Sequence, residues 1–557
     1  MARLVECVPN FSEGRDRAVI DAIAQALASV SGVKLLDVDP GADTNRTVYT
    51  LVGCPEGVAE AAFRGARRAT ELIDMTTHKG AHPRMGALDV CPFIPVADIT
   101  MAECAELAKA VGRRIGDELQ IPVYFYEHAA ATEERRSLAN IRAGEYEGLA
   151  EKLAQPAWAP DAGPARFNAR SGGTVVGARE FLLAYNVNLN TLDRRLANEI
   201  AFNIREGGRA KRDAHGQILR DADGTSIKVP GRLKAVRAIG WYIDEYRQAQ
   251  VSINLINYKV TPLHVVFETV RDEAEKLGLI VTGSELVGLM PLEPLLEAGR
   301  FYLRNQGKSA GAPEADVVET AIRSLGLDQV GEFDPDKKII EYQFRQRGPL
   351  VSMKVERFVD EVSSDSPAPG GGSVAALAGA LAAGLSAMVA NLTVGKKGYE
   401  EAWAELSDLA ERAQAVKDRL VKAVDADTEA FNAAMAAMRL PKATADEQAA
   451  RNAALEAGYQ QAARVPLDTA KACLEALRLS LVVAEKGNTN SASDAGVAAL
   501  MARAGVEGAV LNVLINLGSV KDDAFKQSCR AETAALSSEA GALCDQVLAR
   551  VQGSFQG

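Results

Sequence analysis

A chain of 557 residues is too long for one ordinary hydrophobic core, so roughly two to four domains are expected. Hydrophobic residues at 47% and charged residues at 25% describe a folded globular protein and exclude a disordered one. A formal net charge of -11 argues against general nucleic-acid binding, yet leaves room for a local basic pocket for a small acidic ligand. The seven cysteines are scattered without a C-x-x-C pair, which predicts reduced thiols in a cytoplasmic protein rather than a disulfide framework. The N-terminus lacks the apolar core of a signal peptide.

In chain order, an opening strand over 4–8 runs into the polar turn Pro9-Asn10-Phe11-Ser12-Glu13-Gly14-Arg15. Helical spacing follows over 16–30, 55–73 and 101–118, interleaved with strand-like runs at 33–38, 47–52, 87–91 and 122–126. Alternating units of this kind predict α+β sheets with helices packed on one face. Between 150 and 180 lies a Pro/Gly-rich connector, Trp158-Ala159-Pro160-Asp161-Ala162-Gly163-Pro164. A second unit begins near Phe181, with strands at 181–189, 236–242 and 251–255 and helices at 192–205 and 262–277. The polar stretch 206–232, with Asp221-Ala222-Asp223-Gly224 as a turn, predicts a surface hairpin.

The chain changes character after the linker-like Arg347-Gly348-Pro349. Helical segments are predicted at 373–394, 400–440, 444–464, 466–486, 491–516 and 522–551, with Pro441 ending the second and Pro466 opening the fourth. Long helices joined by short breaks predict an all-α antiparallel bundle, in which Gly379, Ala383 and Ala387 admit close helix approach. Residues 374–395 carry no charge and match the ~20 residues of a bilayer span. The run is rich in Ala and Gly, and reads as the only one of its kind, so it is assigned to the bundle interior.

The most informative side chain is His82, one of five histidines, in His78-Lys79-Gly80-Ala81-His82-Pro83-Arg84-Met85-Gly86. Two histidines four apart would suggest a metal pair on a helix, but Pro83, Gly80 and Gly86 break the helix, and no metal site is expected. An imidazole in a loop, flanked by Lys79 and Arg84, suits proton transfer near neutral pH beside an anionic substrate. If the strand ends converge, Asp37 or Asp39 supplies an orienting carboxylate and the Asn10 turn supplies amide donors. Asn168-Ala169-Arg170-Ser171-Gly172-Gly173-Thr174, with Arg166 nearby, offers amides and arginines to a carboxylate, and matches neither the phosphate-loop nor the dinucleotide fingerprint.

In the bundle, Gly370, Gly371 and Gly372 lead into an apolar helix with Ser373 as its expected N-cap, a turn able to face an anion. Asp427 falls in an apolar seam through Leu409, Ala413, Val416, Leu420, Val424, Phe431, Ala434 and Met438. A carboxyl there must be paired or have its pKa raised, and either state suits a general acid. Asp425 is expected to project elsewhere as a solvated neighbour. Lys396, Lys397, Asn490, Asp494, Asn512 and Asn516 are candidates for a polar lining.

Leu4-Val5-Glu6-Cys7-Val8-Pro9-Asn10-Phe11-Ser12-Glu13-Gly14, the run from His78 to Val90, and Gly240-Trp241-Tyr242 resemble glutamate formiminotransferase. The run from Ser366 to Val374, Val424-Asp425-Ala426-Asp427 and Met438-Arg439-Leu440-Pro441-Lys442 resemble formimidoyltetrahydrofolate cyclodeaminase. In this order the whole chain resembles the bifunctional formiminotransferase-cyclodeaminase family, with 206–232 longer than the family's usual connection.

The resemblance implies a multidomain chain. Two α+β sheet-plus-helix subdomains of βαββαβ-like plan, 1–180 and 181–343, would form the transferase half. A linker at 344–352 and an all-α antiparallel cyclodeaminase bundle at 353–557 would follow. It implies transfer of the formimino group from N-formimino-L-glutamate to tetrahydrofolate, then cyclisation to 5,10-methenyltetrahydrofolate with release of ammonia, as in histidine degradation. The transferase histidine maps to His82 and the cyclodeaminase aspartate to Asp427. The folate-contacting segment maps to Gly163, Pro164, Ala165, Arg166, Phe167, Asn168, Ala169, Arg170, Ser171 and Gly172. Asp39 is the expected orienter of His82, while Lys79, Arg84, Asn10, Gly370, Gly371, Gly372 and Ser373 are expected to bind folate.

Tetrahydrofolate, polyglutamated, would be a co-substrate, with no metal, nucleic acid or membrane partner, in a cytoplasmic homo-oligomer. The alternative is an N-formylglutamate-using transferase with a cyclohydrolase-like or purely scaffolding bundle.

Overall fold

The computed structural model describes residues 3–345 and 348–555, so Arg347 of the expected linker lies outside the described residues. The chain forms two compact units, Met1–Pro294 with Gly326–Phe344, and Leu295–Leu325 with Arg345–Gly557.

The first unit is built on two sheets. In one, strands Val33–Gly41, Arg46–Gly53, Leu4–Cys7 with Asn10–Phe11, and Leu88–Ala97 lie side by side and antiparallel. Thr174–Ala178 and Val123–Glu127 then add in parallel. The opening strand breaks between Cys7 and Asn10, where Pro9 has no N–H to offer the ladder. Helices Arg17–Ala28, Pro55–Leu72 and Met101–Leu119 bury their apolar stripes against this sheet, through Ile23, Leu27, Phe63, Ala66, Cys104 and Ile115. Asp16 caps the first helix, and Thr100 with Glu103 forms a capping box on the third. Strand Thr174–Ala178 follows the connector and is not marked by the sequence patterns; its short Thr-Val-Val-Gly-Ala run is buried on both sides between two parallel neighbours.

The second sheet has the order Val236–Ile243, Gln248–Leu255, Leu183–Leu189, Val281–Val287, all antiparallel. Strand alternation sends Tyr185, Val187, Val251 and Ile253 inward. The opposite row is polar: Trp241 donates to Gln250 (2.9 Å), and Gln250 donates to Asn188 (2.6 Å) and to Glu285 (3.3 Å). In Gly240-Trp241-Tyr242, the Gly240 N–H donates to the Asn198 side chain at 2.9 Å, tying the strand to helix Arg194–Ile204. The 206–232 excursion pairs Arg209–Ala210 with Lys228–Val229, and Asp213 and Asp221 each close a turn by accepting two backbone N–H bonds.

In the second unit, helices Gly371–Thr393, Trp403–Met438, Ala445–Lys486, Ala492–Asn516 and Asp523–Ser554 enclose an alanine-rich core with Leu406, Leu420, Leu474, Leu477, Val506 and Val547. Helices Leu292–Asn305 and Glu314–Leu325, which the sequence patterns did not mark, lie before it in the chain. A second helix besides Gly371–Thr393 is long and apolar enough to cross a membrane, Thr489–Asn516, whose most apolar window is 44% buried. Its Asp494, Arg503 and Glu507 interrupt the uncharged run, which is why only the first stood out.

Pro466 does not open a helix. It sits inside the 42-residue helix Ala445–Lys486. A proline there leaves the carbonyl four residues back without its N–H partner. That carbonyl, of Ala462, accepts instead from the Asn516 side-chain amide at 2.7 Å. Asn516 is thus engaged in structure rather than free to line a cavity. Asn516→Leu is expected to lower stability by about 0.5–1.5 kcal/mol, the net worth of a half-buried hydrogen bond, read as a lower urea midpoint at unchanged slope.

Candidate active sites

The first site forms where loop 78–86 meets two neighbours. On one side is the turn Thr44-Asn45-Arg46 between strands Val33–Gly41 and Arg46–Gly53. Asn45, in the left-handed region at φ 49°, accepts from Gly14 N–H (3.0 Å) and donates to the Lys79 carbonyl (3.0 Å). Its own carbonyl accepts from His78 Nε2 at 2.9 Å. Gly80 is required at this junction, since a Cβ there would lie 2.1 Å from the Thr44 oxygen. On the other side, Gly86 and Gly172 form an antiparallel bridge. Ala87 N–H donates to Ser171 (2.9 Å), and Gly173 N–H donates to Met85 (3.0 Å). The end of the segment Gly163–Gly172, at Ser171 and Gly172, is therefore brought against the histidine loop, while its start, Gly163, packs against Gly116 and Ile121. Its Arg166 and Arg170 are exposed, and Phe167 packs on Tyr146 with ring centroids 5.4 Å apart.

His82 Nδ1 donates to the Pro83 carbonyl at 2.6 Å, and Nε2 accepts from Arg46 Nη1 at 3.2 Å. A carbonyl only accepts and a guanidinium only donates, so the ring is the neutral Nδ1–H tautomer. Burial, then the Arg46 cation, push its pKa below the usual histidine value. Behind it, Asp89 is fully buried, held by Arg142 (2.8 Å) and Met85 N–H (2.9 Å).

Several expected residues have other tasks. Asp39 is exposed on the edge strand, paired in register with Val48, and the hydrogen bonds of His82 go to Pro83 and Arg46 instead. Asn10 is buried in the sheet, its amide donating to the Val8 carbonyl at 2.6 Å. Arg84 is 7% exposed and grips both oxygens of Glu147 (2.7 and 2.8 Å) with Glu145 at 3.2 Å, so it is not a free anion receptor. Lys79 is exposed at a surface cavity of about 520 Å³ that Arg84, Glu145 and Glu147 also line.

The second site lies at the start of helix Gly371–Thr393. The helix begins at Gly371 with Gly370 as N-cap, not at Ser373. Ser373 is buried, and its hydroxyl donates to the Val424 carbonyl at 2.7 Å, joining this helix to Trp403–Met438. Asp427, one turn further along, is half-buried and accepts from Ser373 N–H. Burial raises its pKa above the ordinary aspartate value, with the Ser373 bond opposing. A Cβ on Gly372 would lie 2.1 Å from Asp427 Oδ1, so only glycine allows this approach. Gly371 faces the Asn512 side chain.

Gly372→Ala is expected to displace the carboxyl by about 1 Å and slow the second reaction on the order of 10²-fold, while the first is unchanged, measured by separate assays of each half-reaction.

Asp425 is not solvated. It is buried, accepting from Leu350 N–H (2.8 Å) and Val351 N–H (3.1 Å), because the segment after the linker folds back over it. Phe431 and Met438 are exposed, since the far end of helix Trp403–Met438 runs past the core. Lys396 donates to Asn488 (2.7 Å) beyond the C-terminus of helix Gly371–Thr393. At 1.5 Å per residue that is roughly 35 Å from its start, too far to line the Asp427 site.

A neutral imidazole held beside a guanidinium, and a carboxyl whose pKa burial raises at a glycine turn, make two candidate enzyme sites of different build, each with a group able to exchange a proton. Residues 4–179 match the family described as formiminotransferase domain, N-terminal subdomain, residues 184–345 formiminotransferase domain, and residues 354–535 formiminotransferase-cyclodeaminase. The formimidoyltransferase-cyclodeaminase of Rattus norvegicus is 47% identical over 543 residues, covering 97% of each chain. The glutamate formimidoyltransferase of Streptococcus pyogenes serotype M1 is 44% identical over 55% of this chain and 94% of its own. The methenyltetrahydrofolate cyclohydrolase of Methylorubrum extorquens is 43% identical over 36% of this chain and 95% of its own. The chain belongs to the formimidoyltransferase-cyclodeaminase family.

Proposed function

We propose that this protein moves a formimino group from N-formimino-L-glutamate to N5 of tetrahydrofolate, then closes the ring to 5,10-methenyltetrahydrofolate and releases ammonia. The observation that carries it is the pairing of an unprotonated imidazole in one unit with a carboxyl of raised pKa in the other. In the first reaction N5 attacks the amidine-type carbon. The new N5–C bond forms, the N5 proton passes to His82 Nε2, and His82 returns it to the glutamate nitrogen as that C–N bond breaks. Pro83 holds the Nδ1–H, so only Nε2 exchanges protons. The exposed Arg166, Arg170 and Lys79 meet the carboxylates of folate, best when it is polyglutamated.

In the second reaction N10 attacks the formimino carbon. Asp427 starts protonated and gives its proton to the formimino nitrogen as the N10–C bond forms. The carboxylate left behind then takes the N10 proton and passes it to the same nitrogen, which leaves as ammonia, and solvent reprotonates the carboxyl. A carboxyl with a raised pKa is suited to both halves of that exchange. The expected placing in histidine degradation is consistent with this donor.

The transferase half is read as two βαββαβ-like subdomains at 1–180 and 181–343, with the bundle at 353–557 carrying ring closure. A homo-oligomer is proposed because Leu381 and Leu392 on helix Gly371–Thr393, and Leu511 and Ile515 on helix Ala492–Asn516, remain 51–75% exposed. A second copy packed on these side chains would cover them. A cytoplasmic setting fits its seven free thiols, with Cys7 and Cys91 Sγ atoms 3.5 Å apart.

The cyclohydrolase relative of the bundle favours one second reading, in which the donor is N-formylglutamate and ring closure expels water. Ammonia release decides between them. The proposed function requires one ammonia per methenyltetrahydrofolate with the formimino donor, and fails if the formyl donor turns over and the formimino donor does not.

A further inference from the structure

We propose that Arg46 is the receptor for a carboxylate of the glutamate-bearing donor, and that drawing Arg46 off His82 is what frees the imidazole to act. This rests on His82 being the proton-transfer group of the first site.

Arg46 Nη1 donates into the Nε2 lone pair of His82 at 3.2 Å, the very lone pair that must take a proton. With Nδ1 committed to Pro83, the ring has no second basic nitrogen. The base is therefore engaged until Arg46 leaves. Arg46 is poised to leave. Its partner is a neutral imidazole at the long end of hydrogen-bond range, and its buried Nε–H has no partner among the described residues. The nearby carboxylate, Asp89, is already held by Arg142 and Met85. Arg84, by contrast, is gripped on both faces of its fork by Glu147. Arg46 thus has no contacting carboxylate among the described residues, and unlike the exposed Lys79, Arg166 and Arg170 it is half-buried and set directly on the reacting nitrogen.

A substrate carboxylate offers it two parallel charge-assisted bonds in place of one weak bond, a planar match that favours arginine over lysine. Binding of the donor and release of the base would then be one event, and the imidazole would be masked when the donor is absent. The charged groups facing His82 are Arg46, Arg142 and Asp89. Removing the Arg46 cation should raise the histidine pKa and move the acid limb of the transfer rate to higher pH.

The test uses the full-length chain with L-glutamate, the product of the first reaction, as probe. Histidine is labelled with ¹⁵N, and the His82 signal is identified by its loss in His82→Ala. L-Glutamate is expected to shift the His82 Nε2 resonance of the unaltered protein. Arg46→Gln is expected to abolish that shift and raise the KM for N-formimino-L-glutamate on the order of 10²-fold, as loss of a paired charge does. The KM for tetrahydrofolate should stay within about twofold, with partial recovery in Arg46→Lys. An unmoved Nε2 signal in the unaltered protein, or an unchanged donor KM in Arg46→Gln, overturns the proposal. The first measurement stands even if the variant fails to fold. Retained transfer in His82→Ala would instead sink the underlying reading, while the KM change in Arg46→Gln would still report carboxylate binding.

Discussion

His82→Ala is expected to slow formimino transfer by about 10²–10⁴-fold, the usual contribution of a positioned general acid–base, while supplied 5-formimidoyltetrahydrofolate is still cyclised at the normal rate. The loss is large because one nitrogen does both jobs. Nε2 must take the N5 proton and return it to the leaving amine, and among the described residues its one hydrogen-bond partner, Arg46, only donates. The loop should survive the change, because its anchors are the Asn45 and Ser171 contacts rather than the ring. The pH profile adds a sign. Burial and Arg46 favour the unprotonated ring, so the base form persists below the ordinary histidine value. Transfer should therefore fall only on acidification past that lowered pKa, and stay level from there to neutrality. A profile that drops above pH 6.5 would contradict it.

Asp427→Asn is expected to do the converse. Transfer proceeds, 5-formimidoyltetrahydrofolate accumulates, and ring closure falls by a similar 10²–10⁴-fold or so. Asparagine keeps the shape and the contact to the Gly372-Ser373 turn but carries no exchangeable acid proton. Ammonia is then left without a donor at the moment the C–N bond breaks. The direction of the pH dependence is opposite to that of the first site. Burial favours the protonated carboxyl, so ring closure should persist above the ordinary aspartate value and decline as pH rises through the raised one. Glutamate release follows the transfer step, and absorbance of the methenyltetrahydrofolate formed from supplied 5-formimidoyltetrahydrofolate follows ring closure; together they measure both variants.

How much of this was legible in the sequence depended on whether the information was local. The histidine loop was, because Gly80, Pro83 and Gly86 forbid a helix by their own backbone chemistry. So was the position of Asp427, because an acid at helical spacing among Val424, Leu420 and Val416 stands out against its own neighbours. Arg46 was not. It reads as a turn residue between strands, and its contact to His82 crosses 36 positions. The short Asp-Thr-Asn-Arg sequence marks a turn, since asparagine tolerates the left-handed backbone found at Asn45, but nothing in it says what the next side chain meets. Asp425 was misplaced for the same reason: helical spacing turned it away from the seam, but Leu350 and Val351, 75 and 74 residues earlier, return to cover it. Pro466 looked like a helix start because the local rule cannot foresee that Asn516 would satisfy the Ala462 carbonyl. The sheets and bundle followed from periodicity, while strand Thr174–Ala178 needed its parallel neighbours to be seen at all.

Two sites of different build, each sufficient for its own step, make up the central claim, and mixing the two full-length variants tests it most directly. Neither His82→Ala nor Asp427→Asn alone should convert N-formimino-L-glutamate and tetrahydrofolate into 5,10-methenyltetrahydrofolate at an appreciable rate. Combined in one tube, they should restore the product, with one ammonia released for each molecule formed. If each variant has lost both half-reactions while remaining folded, so that the mixture stays silent, the two-site account is wrong.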